Sequence, residues 1–305
     1  MLEVLIQMAG LIVCGIGWRI FKPAGLEPVQ TRRVLTSLVY YLLLPALVLS
    51  VLWKAELGST TLLIALSAAF AVVVGMGLSA LSCRVCKAQP AVTGAVILAA
   101  TFPNATYLGL PVLEAAFGPW ARSVAIQYDL FACTPLLFTL GVLVAAHYGD
   151  ARVGVHSMMR ELLRIPALWA ALVAVLLNLA EVPGNTTIDG LLGLLDRGVV
   201  PLMLFSLGLS LEWNRAQWRT LPSVIPVVLV RLLIIPAIIV LFTSAIGLSG
   251  EWRAAVVMET AMPSMVLGIV FCDRYNLDIS LYAAAVTITT ALSMLTLPMW
   301  YEFML

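Results

Sequence analysis

Apolar residues run through the chain in long blocks, and polar or Pro/Gly-containing clusters interrupt them at short intervals. Reading block against cluster gives ten apolar segments, at 2–20, 33–53, 60–82, 91–116, 120–146, 165–182, 188–211, 220–247, 253–271 and 280–304. Each has the length of a helix that crosses a hydrocarbon layer about 30 Å thick, for which about 20 apolar residues are needed. The longest polar stretch between them is 147–164. The pattern predicts an all-α integral membrane protein with ten spans and no separate water-soluble domain.

The charges orient these spans. With the N-terminus outside, twelve of the 17 Lys and Arg residues fall in cytoplasmic connections, among them Arg19, Lys22, Arg32, Arg33, Arg84, Lys87, Arg152, Arg215 and Arg219. Only Lys54, Arg122 and Arg253 fall outside, which is the asymmetry of the positive-inside rule. An even number of spans then places the C-terminus outside as well. The start does not read as a cleavable signal, because its basic residues follow the apolar run rather than precede it. All eight tryptophans, Trp213 and Trp218 included, lie near segment ends, where an apolar ring and an N–H donor both find partners.

Composition narrows the function. The chain is 62% hydrophobic and 11% charged, against about 25% charged in ordinary soluble domains. A net charge of +1 offers no nucleic-acid surface, so the partners expected are the lipid bilayer and a small solute. Cys83-Arg84-Val85-Cys86 is a CxxC without the further ligands zinc requires. No HExxH or GxSxG occurs, and His147 and His156 both lie in the cytoplasmic link. The expectation is therefore a protein that is not an enzyme and holds no metal or cofactor. A coupling H+ or Na+ is left open.

A weak internal repeat divides the chain. Pro45 and Pro201 each precede a serine by five residues, Pro103 and Pro263 occupy the fourth and ninth segments, and Pro135 and Pro298 the fifth and tenth. The offsets are 156, 160 and 163 residues. Residues 1–147 and 165–305 thus read as two five-helix repeats joined by a cytoplasmic link at 148–164. An odd number of spans per repeat turns the second upside down relative to the first, which is the plan of many secondary transporters.

Two segments read as broken helices. Pro103 removes a backbone donor and clashes with the preceding turn, and Asn104, Thr106, Gly109 and Pro111 follow at once. Met262, Pro263, Ser264 and Gly268 repeat the pattern in the ninth segment. Each proline lies roughly 15–18 Å into its segment at 1.5 Å per residue, near the middle of the layer. In lipid the freed backbone groups must find partners inside the protein or at a wet cavity. Half-helix N-termini at that depth offer N–H groups and a positive dipole end to an anion. Asp129, Arg231 and Glu259 also lie deep in segments, where charge is costly and marks a pathway, a relay or an ion pair. The residues alone leave open whether Asp129 or Glu259 carries a coupling ion, whether Arg231 faces an anionic substrate, or whether Arg231 pairs with one of the acids. Asn178 reads as a helix–helix hydrogen bond, and Asp196 with Arg197 as structural.

These residues resemble the auxin efflux carrier family of membrane transporters, which includes bacterial organic-acid permeases and plant PIN carriers. Asn104-Ala105-Thr106-Tyr107-Leu108-Gly109-Leu110-Pro111 resembles its Asn-x-x-x-x-Gly-x-Pro signature, and Ala261-Met262-Pro263-Ser264 the ninth-helix counterpart. Leu44-Pro45-Ala46-Leu47 and the segment from Val200 to Leu209 resemble its second and seventh helices. The resemblance implies two inverted five-helix repeats, a scaffold of helices 1, 2, 6 and 7, a moving domain of helices 3–5 and 8–10, and broken helices 4 and 9 that cross. It also implies elevator-like alternating access, with Pro103, Asn104, Ala105, Thr106, Met262, Pro263 and Ser264 at the substrate and Ser50 facing it from helix 2. Without the long cytoplasmic loop of many plant members, the chain is similar to the compact bacterial type. Small mono- or dicarboxylates, moved across the cytoplasmic membrane, are then the expected substrates. The alternatives are an auxin-like aromatic carboxylate, an anion channel or a ligand-binding receptor. A homodimer through the scaffold is a further expectation.

Overall fold

Proline and short polar caps set where helices begin. Pro28, Pro90 and Pro166 each stand in a first helical turn, where a missing N–H costs nothing. Asn185 accepts from the Thr187 and Ile188 amides, and Asp278 from the Leu281 amide, so both cap the helices they precede. The computed structural model describes residues 2–149, 160, 162–211 and 221–305. Trp213, Trp218, Arg152, Arg215, Arg219 and His156 lie outside the described residues.

Among those residues the chain is helical throughout, with no strand. The helices used below are α1 (Leu2–Phe21), α2 (Pro28–Trp53), α3 (Ser59–Val85), α4 (Pro90–Thr101), α5 (Ala105–Phe117), α6 (Ala121–Tyr148), α7 (Pro166–Leu179), α8 (Thr186–Ser210), α9 (Pro222–Ala245), α10 (Gly250–Thr260), α11 (Gly268–Arg274) and α12 (Ile279–Met304). Among the described residues, six of them (α2, α3, α6, α8, α9 and α12) are long and apolar enough to cross a membrane. The apolar segments 91–116 and 253–271 each contain two short helices, because the breaks at Phe102–Asn104 and after Thr260 are brief and carry no charge. Helix α2 starts five residues before its apolar block, because Pro28 can open a helix whose second turn contains Arg32 and Arg33.

Not every proline breaks a helix. At Val39–Leu43, Ala105–Gly109, Asp129–Cys133 and Val230–Ile234 the helix widens by one residue per turn, and a proline follows two residues later (Pro45, Pro111, Pro135, Pro236). The wide turn takes up the carbonyl that the proline ring would otherwise strike. Pro298 lies in the unbroken helix α12 instead, so the Pro135 and Pro298 pair of the sequence repeat has two different local structures.

The helices pack in two groups. In the first, α1 lies along α8, and α7 lies along the second half of α2. Gly15 and Gly208 let α1 and α8 touch backbone to backbone: a Cβ on Gly208 would lie 2.1 Å from the Ile12 carbonyl oxygen, and one on Gly15 2.2 Å from that of Phe205. Gly208→Val is expected to force the pair apart and destabilise the protein by roughly 1–3 kcal/mol; an unchanged thermal unfolding midpoint in detergent would contradict this. Asn178 Nδ2 donates to the carbonyls of Leu52, Trp53 and Ala55, the helix–helix bond expected of it. In the second group α3 to α6 pack with α9 to α12. The two groups meet where α8 lies on the start of α5, and α2 and α7 on α6.

Contacts sort the connections into two sets. Arg19 reaches Leu209, Asp278 reaches Ala91, and Gly149 lies on Tyr275. At the other end Trp53 reaches Val182, Tyr301 reaches Ala116, and Trp120 packs on Trp252. Among the described residues, the contacts that flank successive connections thus alternate between two ends of the molecule.

Candidate functional site

The two breaks satisfy each other. Pro103 and Pro263 leave their neighbours without helical partners, and the chains run antiparallel there as a single bridge between Pro103 and Ser264. The Asn104 amide donates to the Pro263 carbonyl at 2.7 Å, and the Met265 amide to the Phe102 carbonyl at 3.1 Å. The Ser264 amide donates to Thr289 Oγ1 at 3.1 Å, and Tyr282 Oη to the Met265 carbonyl at 2.9 Å. Buried backbone groups that would be very costly in lipid are therefore paired. Gly268 is required beside them, since a Cβ would lie 1.9 Å from Tyr282 Oη.

Arg231 holds both sides of this crossing. It is fully buried in the wide turn of α9. Its Nη1 donates to the Thr101 carbonyl at 2.6 Å and, weakly, to that of Ala100 at 3.5 Å, and its Nη2 donates to the Thr260 carbonyl. Those carbonyls end α4 and α10, where helices carry unpaired acceptors and negative dipole ends. The sequence had offered an acid or an anionic substrate as its partner. The hydrogen bonds present are to backbone oxygens, and the guanidinium does not line the cavity described next.

That cavity opens at the start of α5. It is lined by Pro103, Asn104, Ala105, Thr106, Tyr107 and Asp129, with Tyr40, Leu44, Thr134, Phe138, Ile165 and Val266 among the surrounding walls. It therefore lies between the two packing groups. The N–H groups of the first turn of α5 face no preceding helix. Asn104 is 4% exposed, and its Nδ2 has no hydrogen-bond partner. Asp129 accepts from Thr106 Oγ1 through one oxygen and from Thr134 Oγ1, at 2.9 Å, through the other. Thr134 was missed by the sequence reading. It stands five residues after Asp129, a spacing that shares a helix face only because the turn between them is wide. No Lys, Arg or His belongs to this lining among the described residues.

The other expected residues fall elsewhere. Met262 and Pro263 are buried behind the crossing, and Ser264 is fully buried with its Oγ unpartnered. Glu259 is fully buried, and neither carboxylate oxygen has a hydrogen-bond partner. It lies on the backbone of Gly109, where a Cβ would come within 2.3 Å of Oε1, so the glycine of the Asn-x-x-x-x-Gly-x-Pro motif makes room for this acid. Ser50 lines a second cavity with Lys54, Trp120, Arg122 and Trp252, apart from Asn104, and its hydroxyl donates to the Leu47 carbonyl at 3.0 Å. Asp196 pairs with Arg122, which also approaches Glu114 at 3.7 Å.

A multi-pass helical membrane protein with a cavity at paired helix breaks belongs to the broad class of membrane transport proteins. The comparisons make the class specific. Residues 4–301 match the family described as "Membrane transport protein", and the chain belongs to it; this is the auxin efflux carrier family of the resemblance. It is 28% identical over 301 residues to an "Uncharacterized transporter" of Methanothermobacter thermautotrophicus, covering 98% of this chain and 96% of that protein. It is 26% identical over 311 residues to "Uncharacterized transporter MJ1031" of Methanocaldococcus jannaschii, covering 98% and 97%. Over 207 residues it is 22% identical to "Uncharacterized transporter YfdV" of Escherichia coli K12, covering 67% and 65%.

Proposed function

We propose that the protein is a secondary carrier of small organic anions, such as mono- or dicarboxylates, in the cytoplasmic membrane. In this reading the chain crosses the membrane ten times as two inverted repeats, 1–147 and 165–305, with both termini outside. The alternation of the connections between two ends supports it. The group of α1, α2, α7 and α8 is the scaffold, through which two copies can pair. The group of α3 to α6 and α9 to α12 moves against it as an elevator.

The observation that carries the reading is the buried side-chain amide of Asn104, its Nδ2 unpartnered, beside the start of α5 in a cavity between the two groups. A carboxylate placed there accepts from Asn104 Nδ2 and from the first-turn amides of α5, and meets the positive end of that helix. The crossing bonds among Phe102, Asn104, Pro263 and Met265 all lie within the second group, so the site travels with it as one body. Access alternates when that body slides past α2, α7 and α8.

The test is uptake into proteoliposomes with a panel of mono- and dicarboxylates and indole-3-acetate. Saturable uptake with counterflow is expected, since a channel shows no counterflow and a receptor no uptake. Asn104→Ala is expected to lower substrate affinity at least tenfold, the loss of a hydrogen bond to a charged group being about 1.5–3 kcal/mol. Unchanged affinity in folded Asn104→Ala protein would remove the site from Asn104.

A further inference from the structure

The carboxylate substrate proposed above would enter a cavity that already contains an acid. Asp129 lines that cavity, and among the described residues no basic side chain stands beside it to balance two negative charges. The remaining ionisable groups that face Asp129 are Tyr107 on α5, Tyr40 on α2, Cys133 on its own helix and Glu259 on α10. Among the described residues these complete the set, and deprotonation of any of them would only add negative charge. From α7 the wall is Ile165 and Ala167, and α3 carries no acid or base before Cys83 and Arg84. The nearest cation in the crossing is Arg231, and its guanidinium is directed at the carbonyls of Ala100, Thr101 and Thr260. Two like charges a few ångströms apart at a dielectric well below that of water weaken binding on the order of a hundredfold or more.

We infer that Asp129 takes up one proton with each carboxylate substrate, so that the protein is a proton–anion symporter. The inference rests on the anionic-substrate reading. The hydrogen bonds around Asp129 provide the mechanism. In its charged form Asp129 accepts from Thr106 Oγ1 and Thr134 Oγ1, and the single hydroxyl proton of Thr106 is then spent on Asp129. A hydroxyl can accept as well as donate. Once Asp129 carries a proton, it donates to one of these hydroxyls. The accepting hydroxyl is that of Thr106, whose own proton is then released to turn toward the cavity that Thr106 lines. Protonation therefore removes a repulsion and supplies a donor to the anion in the same step. Proton and substrate favour each other's binding, and by linkage the effect is reciprocal. Asp129, Thr106 and Asn104 all sit on the group of helices that moves, so the proton travels with the anion. For a monocarboxylate the transfer is electroneutral, with one negative and one positive charge carried together. For a doubly charged dicarboxylate one net negative charge crosses.

Wild-type protein in proteoliposomes with an enclosed pH-sensitive dye tests this directly. One proton should accompany each transported carboxylate, and an inward acid gradient should drive accumulation. Carboxylate uptake without proton movement would overturn the inference while leaving the carrier reading intact. No uptake of any carboxylate, with saturable uptake of organic cations, would overturn both, because Asp129 would then be the counter-ion of a cation. Asp129→Asn separates proton symport by this residue from hydroxide exchange by another route. In the wild type the apparent KM for counterflow is expected to rise up to tenfold per pH unit once Asp129 is charged in the empty carrier. In Asp129→Asn that dependence should be flat. A pH dependence retained in Asp129→Asn would take the role away from this residue. Asp129→Glu, which keeps a titrating group if the amide fails to fold, should retain the dependence with its midpoint displaced. Thr106→Val should raise KM at low pH about tenfold and keep the one-to-one stoichiometry; a lost stoichiometry would contradict the division of roles between the two side chains.

Discussion

Arg231→Met is expected to be among the most destabilising single substitutions in the protein, lowering stability by roughly 2–5 kcal/mol. The arginine is fully buried and joins the carbonyls of Thr101 and Thr260, the last residues of α4 and α10. Methionine fills much of the same volume but leaves both carbonyls buried without a donor. Each orphaned acceptor costs about 1–3 kcal/mol, and the two helix ends lose the cation that offset their dipoles. Removal of the buried charge itself returns part of this, because a desolvated guanidinium is expensive to keep. Arg231→Lys should recover only part of the loss, since an ammonium on a flexible stem does not span two carbonyls as a planar fork does. Thermal unfolding in detergent, followed by loss of monodisperse protein on size exclusion, would show the order wild type, Lys, Met. A Met variant as stable as the wild type would mean that the crossing is held by its backbone bonds alone.

The sequence made some of this legible and hid the rest, for physical reasons that differ by residue. The breaks at Pro103 and Pro263 could be read because a proline followed by polar residues interrupts an apolar run that would otherwise continue as one helix. That they pair with each other as an antiparallel bridge is a long-range fact; their matching depth hinted at it, and the family resemblance implied that the two helices cross. Asp129 stood out as a charge in lipid, and the structure places it in the cavity with Asn104 and Thr106. Thr134 did not stand out, because its reach to Asp129 depends on a wide turn, and turn width is set by Pro135 clashing with the helix before it. Arg231 was visible as an anomaly, but its partners were not. Acids and ligands appear in a sequence as residue types, whereas backbone carbonyls at a helix end have no letter of their own. Gly109 was legible as a motif member; its reason, the Glu259 carboxylate resting on it, required the fold. Ser50 was assigned by resemblance to the substrate, and the structure sets it in the other cavity, beside Arg122.

That second cavity carries the other large expected effect. Arg122 at the start of α6 pairs with Asp196 in the middle of α8, so the bond joins the group proposed to move to the group proposed as its scaffold. Both side chains are 15% exposed, and Glu114 adds a second acid at 3.7 Å. The cavity that holds Asn104 is walled by Ile165 and Ala167, which follow the 148–164 link, and so reaches toward that end of the molecule. The pair fastens the opposite end, beside Lys54, Trp120 and Trp252. In the proposed elevator, displacement of α6 past α8 must break it. Charge-assisted bonds of this burial contribute about 1.5–3 kcal/mol, so Arg122→Gln should shift the balance between the two access states at least tenfold toward the other one. Membrane-impermeant maleimide labelling of a cysteine placed at Ser50 measures that balance, because Ser50 lines the cavity that Arg122 also lines. Asp196→Asn should give the same gain in labelling. The double substitution should add little to either, since the bond can be lost only once. Additive effects of the two changes would show that each side chain acts through other contacts, and that the outer end is closed by the packing of Trp120 on Trp252 instead.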